Sequence, residues 1–576
     1  MLTQTLAGWL AEARLKHPRR LALAWRGREY SYARLYAEAS ALAGELRDLG
    51  VEPSDKVAVY LERSARAVVA IHACLMLGAC YVPIDPQNPW LRLLGLIEDC
   101  RARALVTASR LLPSGEPVPT AVRLILVDRP HGACGAGPKR RADGRAVPAS
   151  DAAYVLYTSG STGTPKGVLM TNRNAAAFVG WAHREFRIRP SDRIANLAPF
   201  QFDLSVFDLF NSCRAGASLH IIPYPDSLFA PRIARFLAKR RISVFYTVPS
   251  VLTAVESLGS MGPGVFPDLR LLLFAGEVLS PRVLRSWMEL APRAAFYNLY
   301  GPTETNVCLF HRAPRPWPAG DASIPIGRPL PETKVLVCRE KGGATAPGER
   351  GELWVKGPTV MERYAGGSTG PRKKGFYGTG DIVSLGEDGS YRFWGRRDDQ
   401  VKVRGYRVDL KEVEAALAAL PETAQAAVTT ADEGGRLVLV AHVTAKPGRR
   451  PSEKRLLKAL ARRLPSYMIP SKVVLRDRLP RLPTGKVDRR SLAGSAAAGV
   501  STAQVRSLLE GKILRGRSLR DDESFWGSGA LDSLDLLQFV HHLEAAFSLR
   551  IPETDVTPEV FSSIESVSRY LGKKAR

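Results

Sequence analysis

Over the first two-thirds of the chain, short apolar runs of strand type alternate with longer stretches of helical period, and nothing else in the sequence restricts the fold as strongly. The runs include 57–61 (VAVYL), 104–108 (ALVTA), 124–127 (LILV), 154–158 (YVLYT), 242–248 (ISVFYTV) and 269–276 (LRLLLFAG), while 34–48 and 65–78 have helical spacing. Strands that are apolar on both faces must be covered on both faces. The alternation therefore predicts mostly parallel sheets sandwiched by helices, an α/β architecture. A chain of 576 residues has room for about three to five such units. No apolar run approaches the ~18 residues needed to cross a membrane. The N-terminal stretch MLTQTLAGWLAEARLKHPRR reads as a short amphipathic helix rather than a secretory signal. Seven scattered cysteines, with no C-x-x-C pair, argue against a disulfide framework or zinc site and fit a reducing cytoplasm.

Composition breaks divide the chain further. Residues 128–150 are rich in Gly, Pro, Ala and Arg and read as a loop between two lobes. Residues 492–502 (LAGSAAAGVST) read as a flexible linker, and a subtler break falls near Gly395. The expected organisation is a large core at 1–395, a small α+β lobe at 396–491, a linker at 492–502 and an all-helical domain at 503–576. The net charge of +26 raises the question of a nucleic-acid partner. The arginines are spread along the chain rather than gathered in a stripe, and no zinc-finger or RNA-binding signature accompanies them. A solvated arginine-rich surface is the expectation; retention of DNA or RNA at about 150 mM salt would contradict it.

The stretch YTSGSTGTPKGV (157–168) follows a strand of buried type. Thr158, Ser159, Gly160, Ser161, Thr162 and Gly163 offer backbone N–H groups and hydroxyls to phosphate oxygens, and Lys166 adds a cation. Pro165 before the lysine separates it from the usual P-loop. A second Gly-rich stretch, GGSTG (366–370), matches a hydrolase pattern but lies in a polar loop before a basic run, so it is not read as a nucleophile elbow.

The 157–168 stretch resembles the phosphate loop of the adenylate-forming superfamily, which contains acyl-CoA synthetases, luciferases and the adenylation domains of nonribosomal peptide synthetases. Further stretches resemble that family's motifs in its order: LGACYVPIDPQNP (77–89), NLYGPTET (298–305), GELWVKGP (351–358), YGTGD (377–381), GRRDDQVKVRGYRV (395–408), LPSYMIP (464–470) and LPTGKVDRR (482–490). The resemblance implies an adenylate-forming core of mostly parallel sheets with helices, a small α+β lobe, and ATP and Mg2+ as reactants. By position it implies that Tyr300 and Gly301 flank the adenine, Thr303 bonds the α-phosphate and Glu304 holds Mg2+. A hard cation bridging phosphates suits a carboxylate oxygen. Asp381 would accept from both ribose hydroxyls, Arg396 would contact the nucleotide and Asp398 would be the hinge. Gly378 stands where the family often has arginine. Lys486 is the principal catalytic candidate, because a cation beside two approaching anions lowers the barrier electrostatically.

The motif PFQFDLSVFDLF (199–210) resembles the one that opens the amino-acid pocket in amino-acid-activating members. Asp203 would pair with the substrate's α-ammonium, since a buried carboxylate needs a cation. The remaining pocket positions would be Leu204, Phe207, Tyr246, Leu273, Ala275, Leu299, Val307 and Cys308, with Lys486 at the carboxylate. This apolar, crowded wall resembles that of proline-activating members. Valine, pipecolate and azetidine carboxylate remain alternatives, since a methylene is worth only about 1–3 kcal/mol of discrimination.

In the last segment, Asp532-Ser533-Leu534 resembles the attachment site of carrier proteins. Leu534, Leu537, Val540, Leu543 and Phe547 fall close to helical spacing, so a helix is expected to begin at Ser533. A 4′-phosphopantetheine phosphodiester there would sit at a helix N-terminus, which favours an anion. The family more often has Gly where Ala530 or Leu531 stands. Residues 503–576 carry 10 basic and 11 acidic side chains, so the positive charge belongs to the preceding part. The resemblance implies activation of L-proline with ATP and loading onto the chain's own carrier domain. A phosphopantetheinyl transferase and downstream condensation or tailoring enzymes, such as a flavin-dependent prolyl-thioester dehydrogenase, would be partners. An inactive carrier scaffold is the alternative from another class; intact Lys166, Glu304, Asp381 and Lys486 argue against it.

Overall fold

A computed structural model describes residues 5–113, 118–128, 151–160, 164–259, 261–319, 323–340, 343–398, 400–403, 406–432, 437–449, 451–481, 487–489 and 491–492; toward the C-terminus it describes 505–506, 508–510, 514, 519–523, 525, 533–547, 551–552, 555–557 and 560–574. Contacts divide the chain into two units, 1–412 with 460–468, and 413–459 with 469–576.

The first unit is built on two largely parallel sheets. In the nine-stranded sheet the parallel strands run in the order Leu21–Trp25, Ser218–Ile221, Arg193–Asn196, Val244–Thr247, Leu271–Ala275 and Ala295–Tyr300. Antiparallel strands close both edges. The seven-stranded sheet places Ala152–Thr158, Cys80–Ile84, Lys56–Tyr60, Ala104–Thr107 and Arg123–Leu126 in parallel. The apolar runs expected to be buried strands are these strands. An antiparallel five-stranded sheet includes Gly351–Lys356, Phe376–Leu385 and Tyr391–Arg396. A short hairpin follows, Gln400–Val403 paired with Tyr406–Asp409.

Alternation along the strands sorts side chains between two cores. Tyr246, Leu271, Leu273, Ala275 and Leu299 lie in one buried cluster, while Phe245, Leu272, Phe274 and Phe296 lie in another on the opposite face. Helices cover both faces. The helix Ala65–Leu77 is capped by Ser64, whose hydroxyl accepts from the Ala67 N–H at 3.2 Å. The N-terminal helix Leu6–Lys16 buries Leu6, Trp9, Leu10 and Ala13, the stripe expected of an amphipathic helix.

In the second unit, Thr423–Asp432 and Leu437–Ala445 pair antiparallel, and Lys472–Leu475 adds in parallel. The helix expected at Ser533 runs Ser533–Phe547. Phe539, Val540 and Leu543 from it pack with Phe525, Phe561 and Ile564 in a separate small core. No helix among the described residues is long and apolar enough to cross a membrane.

Candidate functional site

The phosphate-loop strand Ala152–Thr158 ends against Lys166–Thr171, with Thr158 opposite Lys166. The chain crosses itself here so closely that a Cβ on Gly160 would lie 2.0 Å from the Thr164 carbonyl oxygen, so only glycine fits. Ser161, Thr162, Gly163 and Lys486 lie outside the described residues, as do the side chain of Ser533 and the 129–150 part of the expected inter-lobe loop.

At the C-terminal end of Ala295–Tyr300 the chain turns sharply into the one-turn helix Thr303–Thr305. A Cβ on Gly301 would meet the Asn306 carbonyl oxygen at 1.9 Å. The turn swings Glu304 into the interior. Its Oε2 accepts from Arg407 Nη1 at 2.7 Å and its Oε1 from the Tyr364 hydroxyl at 2.9 Å. Burial pushes the Glu304 carboxyl up, but the Arg407 charge and these bonds outweigh it and hold it below its ordinary range. The Glu304 carboxylate is an oxygen donor of the hard kind that a divalent metal takes, and Arg407 and Tyr364 occupy its two oxygens here. Tyr300 donates its hydroxyl to Asp381 Oδ2, while Arg396 donates to Asp381 Oδ1 and, at 2.7 and 2.8 Å, to Asp398.

The remaining carboxylate is treated differently. Asp203 is the N-cap of the helix Leu204–Ala215 without a side-chain cap hydrogen bond, and its carboxyl faces the Thr303 side of a small cleft. No ion pair reaches it among the described residues. Burial pushes its carboxyl up to about 6, opposed first by the charge of Lys402, which lines the same cleft. Asp203, Leu204, Tyr246, Ala275 and Val307 line this cleft of about 80 Å3, together with Thr158, Ser159, Gly301 and Thr303. Phe207, Leu273, Leu299 and Cys308 do not line it; they are buried in the same core. Phe207 sets its edge against Tyr246 at 5.5 Å and 81°, and Tyr246 pairs in register with Leu273. A cavity of about 310 Å3 shares Gln201, Phe202, Leu204 and Tyr406 with the cleft. Its walls are mostly apolar, with Leu61, Leu197 and Val251 among them. Tyr406 stacks on Tyr467 at 3.9 Å and stands edge-on to Phe202 at 4.9 Å.

Residues 10–365 match the AMP-binding enzyme family, 412–486 match the AMP-binding enzyme C-terminal domain, and 504–571 match the phosphopantetheine attachment site. The chain belongs to the AMP-binding enzyme family. Members of this family use ATP and Mg2+, and the attachment domain carries 4′-phosphopantetheine. A relative from Pseudomonas fluorescens, an L-proline--[L-prolyl-carrier protein] ligase, is 38% identical over 83% of this chain and 96% of its own length. A Streptomyces coelicolor protein of the same name is 38% identical over 82% of this chain and 94% of its own. The fold resembles that of the holo form of a nonribosomal peptide synthetase protein containing adenylation and PCP domains, bound to a vinylsulfonamide inhibitor. That likeness has a TM-score of 0.72 at 24% identity and covers 100% of this chain and 98% of that one.

Within this AMP-binding enzyme, motif reading assigned no role to Arg407, Lys402, Phe202, Tyr406 or Tyr364. Arg407 and Lys402 were visible as charged residues interrupting a V-K-V-R-G-Y-R-V alternation that would otherwise read as an ordinary strand. Tyr364 carried no signal, because its bond to Glu304 spans 60 residues.

Proposed function

We propose that this enzyme activates L-proline with ATP to prolyl-AMP and loads it as a thioester onto its own carrier domain. The observation that supports it most directly is Asp203, a buried carboxylate with no ion pair among the described residues, at a small cleft beside the Thr303–Glu304 turn. A zwitterionic amino acid supplies the missing cation, and the apolar wall leaves a charged side chain unpaired. Tyr300, Gly301, Asp381 and Arg396 bind the nucleoside, and the 158–163 loop with Lys166 takes the phosphates. Glu304 would hold Mg2+, which would supply positive charge to offset that of the phosphates. Thr303 and Lys486 orient the α-phosphate and the substrate carboxylate, so that the carboxylate oxygen attacks phosphorus and pyrophosphate leaves. Leu204, Phe207, Tyr246, Leu273, Ala275, Leu299, Val307 and Cys308 shape the pocket. The 4′-phosphopantetheine on Ser533 supplies the accepting thiol, and the 310 Å3 cavity ending at Phe202 and Tyr406 is its route to the cleft.

The working boundaries are 1–395 for the core, 396–491 for the small lobe hinged at Asp398, 492–502 for the linker and 503–576 for the carrier. A cytoplasmic phosphopantetheinyl transferase primes Ser533, and a condensation or tailoring enzyme, such as a flavin-dependent prolyl-thioester dehydrogenase, takes the product. The deciding experiment is amino-acid-dependent pyrophosphate exchange across the common amino acids plus pipecolate. A dominant L-proline signal lost in Asp203→Ala is expected. A dominant signal from another amino acid would sink the proline assignment, and none at all in folded, ATP-binding protein would sink amino-acid activation.

A further inference from the structure

Asn306 lies between Glu304 and Val307, two positions with a part in the reaction, and has none assigned to it. Its backbone sits at φ 52° and ψ −110°, on the positive-φ side of the map that glycine, asparagine and aspartate dominate. The turn that puts it there is closed tightly. The Asn306 N–H donates to the Thr303 carbonyl oxygen at 3.2 Å, and its own carbonyl oxygen packs against Gly301 where no Cβ fits. Its side chain makes one bond: Nδ2 donates to the Tyr154 hydroxyl at 3.3 Å, across 152 residues. Both residues are buried. Burial, with the charge of Asp203 adding to it, pushes the Tyr154 phenol above its ordinary value, so it stays a neutral hydroxyl.

The bond spans the seam between the two parallel sheets. Asn306 follows the strand Ala295–Tyr300 of the nine-stranded sheet by way of the one-turn helix Thr303–Thr305. Tyr154 belongs to Ala152–Thr158 of the seven-stranded sheet, the strand that runs on into the phosphate loop. Both segments reach the same cleft: Thr303, Asn306 and Val307 line it from one, Thr158 and Ser159 from the other.

We propose that Asn306 is a positioning residue for adenylate formation: its bond to Tyr154 fixes the wall that holds the amino acid against the strand that carries the phosphate loop, and so sets the distance between the attacking carboxylate oxygen and the α-phosphorus. The inference rests on the reading of the cleft as the amino-acid site and of 158–163 as the phosphate loop. The two reactants are held by different sheets, so an error in the spacing of the sheets is an error in the line of attack. A displacement of about 1 Å in such a geometry costs up to about 10²-fold in rate. Asparagine meets both demands of the position, a backbone at positive φ and a side-chain N–H donor; glycine and aspartate meet only the first.

The test is pyrophosphate exchange by the full-length protein, with whichever amino acid gives the dominant signal, in Asn306→Gly, Tyr154→Phe and the double variant. Glycine keeps the backbone conformation and removes the amide; phenylalanine keeps the ring and removes the acceptor. Each single variant is expected to lose about tenfold in maximal exchange rate, with KM for amino acid and for ATP within about twofold of wild type. The double variant is also expected to lose about tenfold, not about a hundredfold, because both changes remove the same bond. Loading of the carrier from preformed aminoacyl-adenylate, where the new oxygen–phosphorus bond already exists, should fall less than exchange does. Losses that multiply in the double variant, raised KM at an unchanged maximal rate, or a wild-type rate in Tyr154→Phe would each overturn the proposal. If Asn306→Gly does not fold, Tyr154→Phe decides alone by the same split between rate and KM. Wild-type protein that exchanges no amino acid would overturn the reading of the cleft together with the proposal.

Discussion

The carboxylates around the cleft are handled in opposite ways. Glu304 and Asp381, behind the turn at 301–305, are each held by an arginine and a tyrosine of the protein itself. Asp203, which lines the cleft, has no ion pair among the described residues, and burial pushes its carboxyl up to about 6 against the charge of Lys402. A site that must accept a divalent ion can keep a resident cation, because Mg2+ carries twice the charge and arrives with phosphates. A site that must recognise a single ammonium gains most by leaving its negative charge uncompensated, so that the substrate completes the pair.

The contrast can be broken first by neutralising each carboxylate in turn. Glu304→Gln strands the Arg407 guanidinium in a buried position. It is expected to destabilise the protein by about 3–5 kcal/mol, the usual cost of breaking a buried pair from one side. Asp203→Asn removes a charge that has no ion pair among the described residues and should stabilise the free protein by up to about 3 kcal/mol at pH 7. The sign follows from the raised carboxyl. Ionised Asp203 penalises the folded state only as pH rises from about 4 to 6, so the gain should vanish near pH 4. Urea denaturation of both variants at pH 4 and 7 checks this; two losses of similar size would erase the comparison.

The same Asp203→Asn variant should lose about 10²–10³ in kcat/KM for the amino acid, mostly in KM, with binding of a nucleotide analogue little changed. Equal loss for the amino acid and the nucleotide would mean that the two carboxylates act as one network. A gentler probe is pH. The form that pairs with an ammonium is ionised Asp203, so KM for the amino acid should rise about tenfold per unit below pH 6 in exchange assays. Glu304 is held below its ordinary range, so KM for Mg·ATP should stay flat over that interval. The smallest effect is steric. Ala275→Val adds two methyl groups to the lining of an 80 Å3 cleft and should cost L-proline about tenfold in kcat/KM, against little change for glycine or alanine.

The fold was legible where pattern and burial coincide. The runs at 104–108, 242–248 and 269–276 are apolar on both faces, and they became the interior strands Ala104–Thr107, Val244–Thr247 and Leu271–Ala275. The helix start at Ser533 was readable because a capping residue precedes an apolar stripe. The site was legible only to the extent that each residue lies inside a local motif. Asp203, Glu304 and Asp381 are such residues. Their partners are not: Arg407 reaches Glu304 across 103 residues and Tyr300 reaches Asp381 across 81. A periodicity argument sees neighbours along one strand and is blind to contacts made by a sheet edge and a returning hairpin. The pocket wall was read as a ring of lining residues. Phe207, Leu273, Leu299 and Cys308 do not line the cleft but are buried in the core beside it, with Phe207 packed edge-on against the lining residue Tyr246.

The split of neighbouring strand positions between two cores bears on how such an enzyme changes its diet. Tyr246, Leu273, Ala275 and Leu299 share the core that adjoins the cleft, while Phe245, Leu272, Phe274 and Phe296 belong to the other core. Selection can therefore rewrite every second letter of these strands to suit a new monomer while the intervening letters keep the scaffold folded. Single-nucleotide drift can explore substrates one position at a time, but an inserted or deleted codon within a strand exchanges the two alphabets and scrambles both.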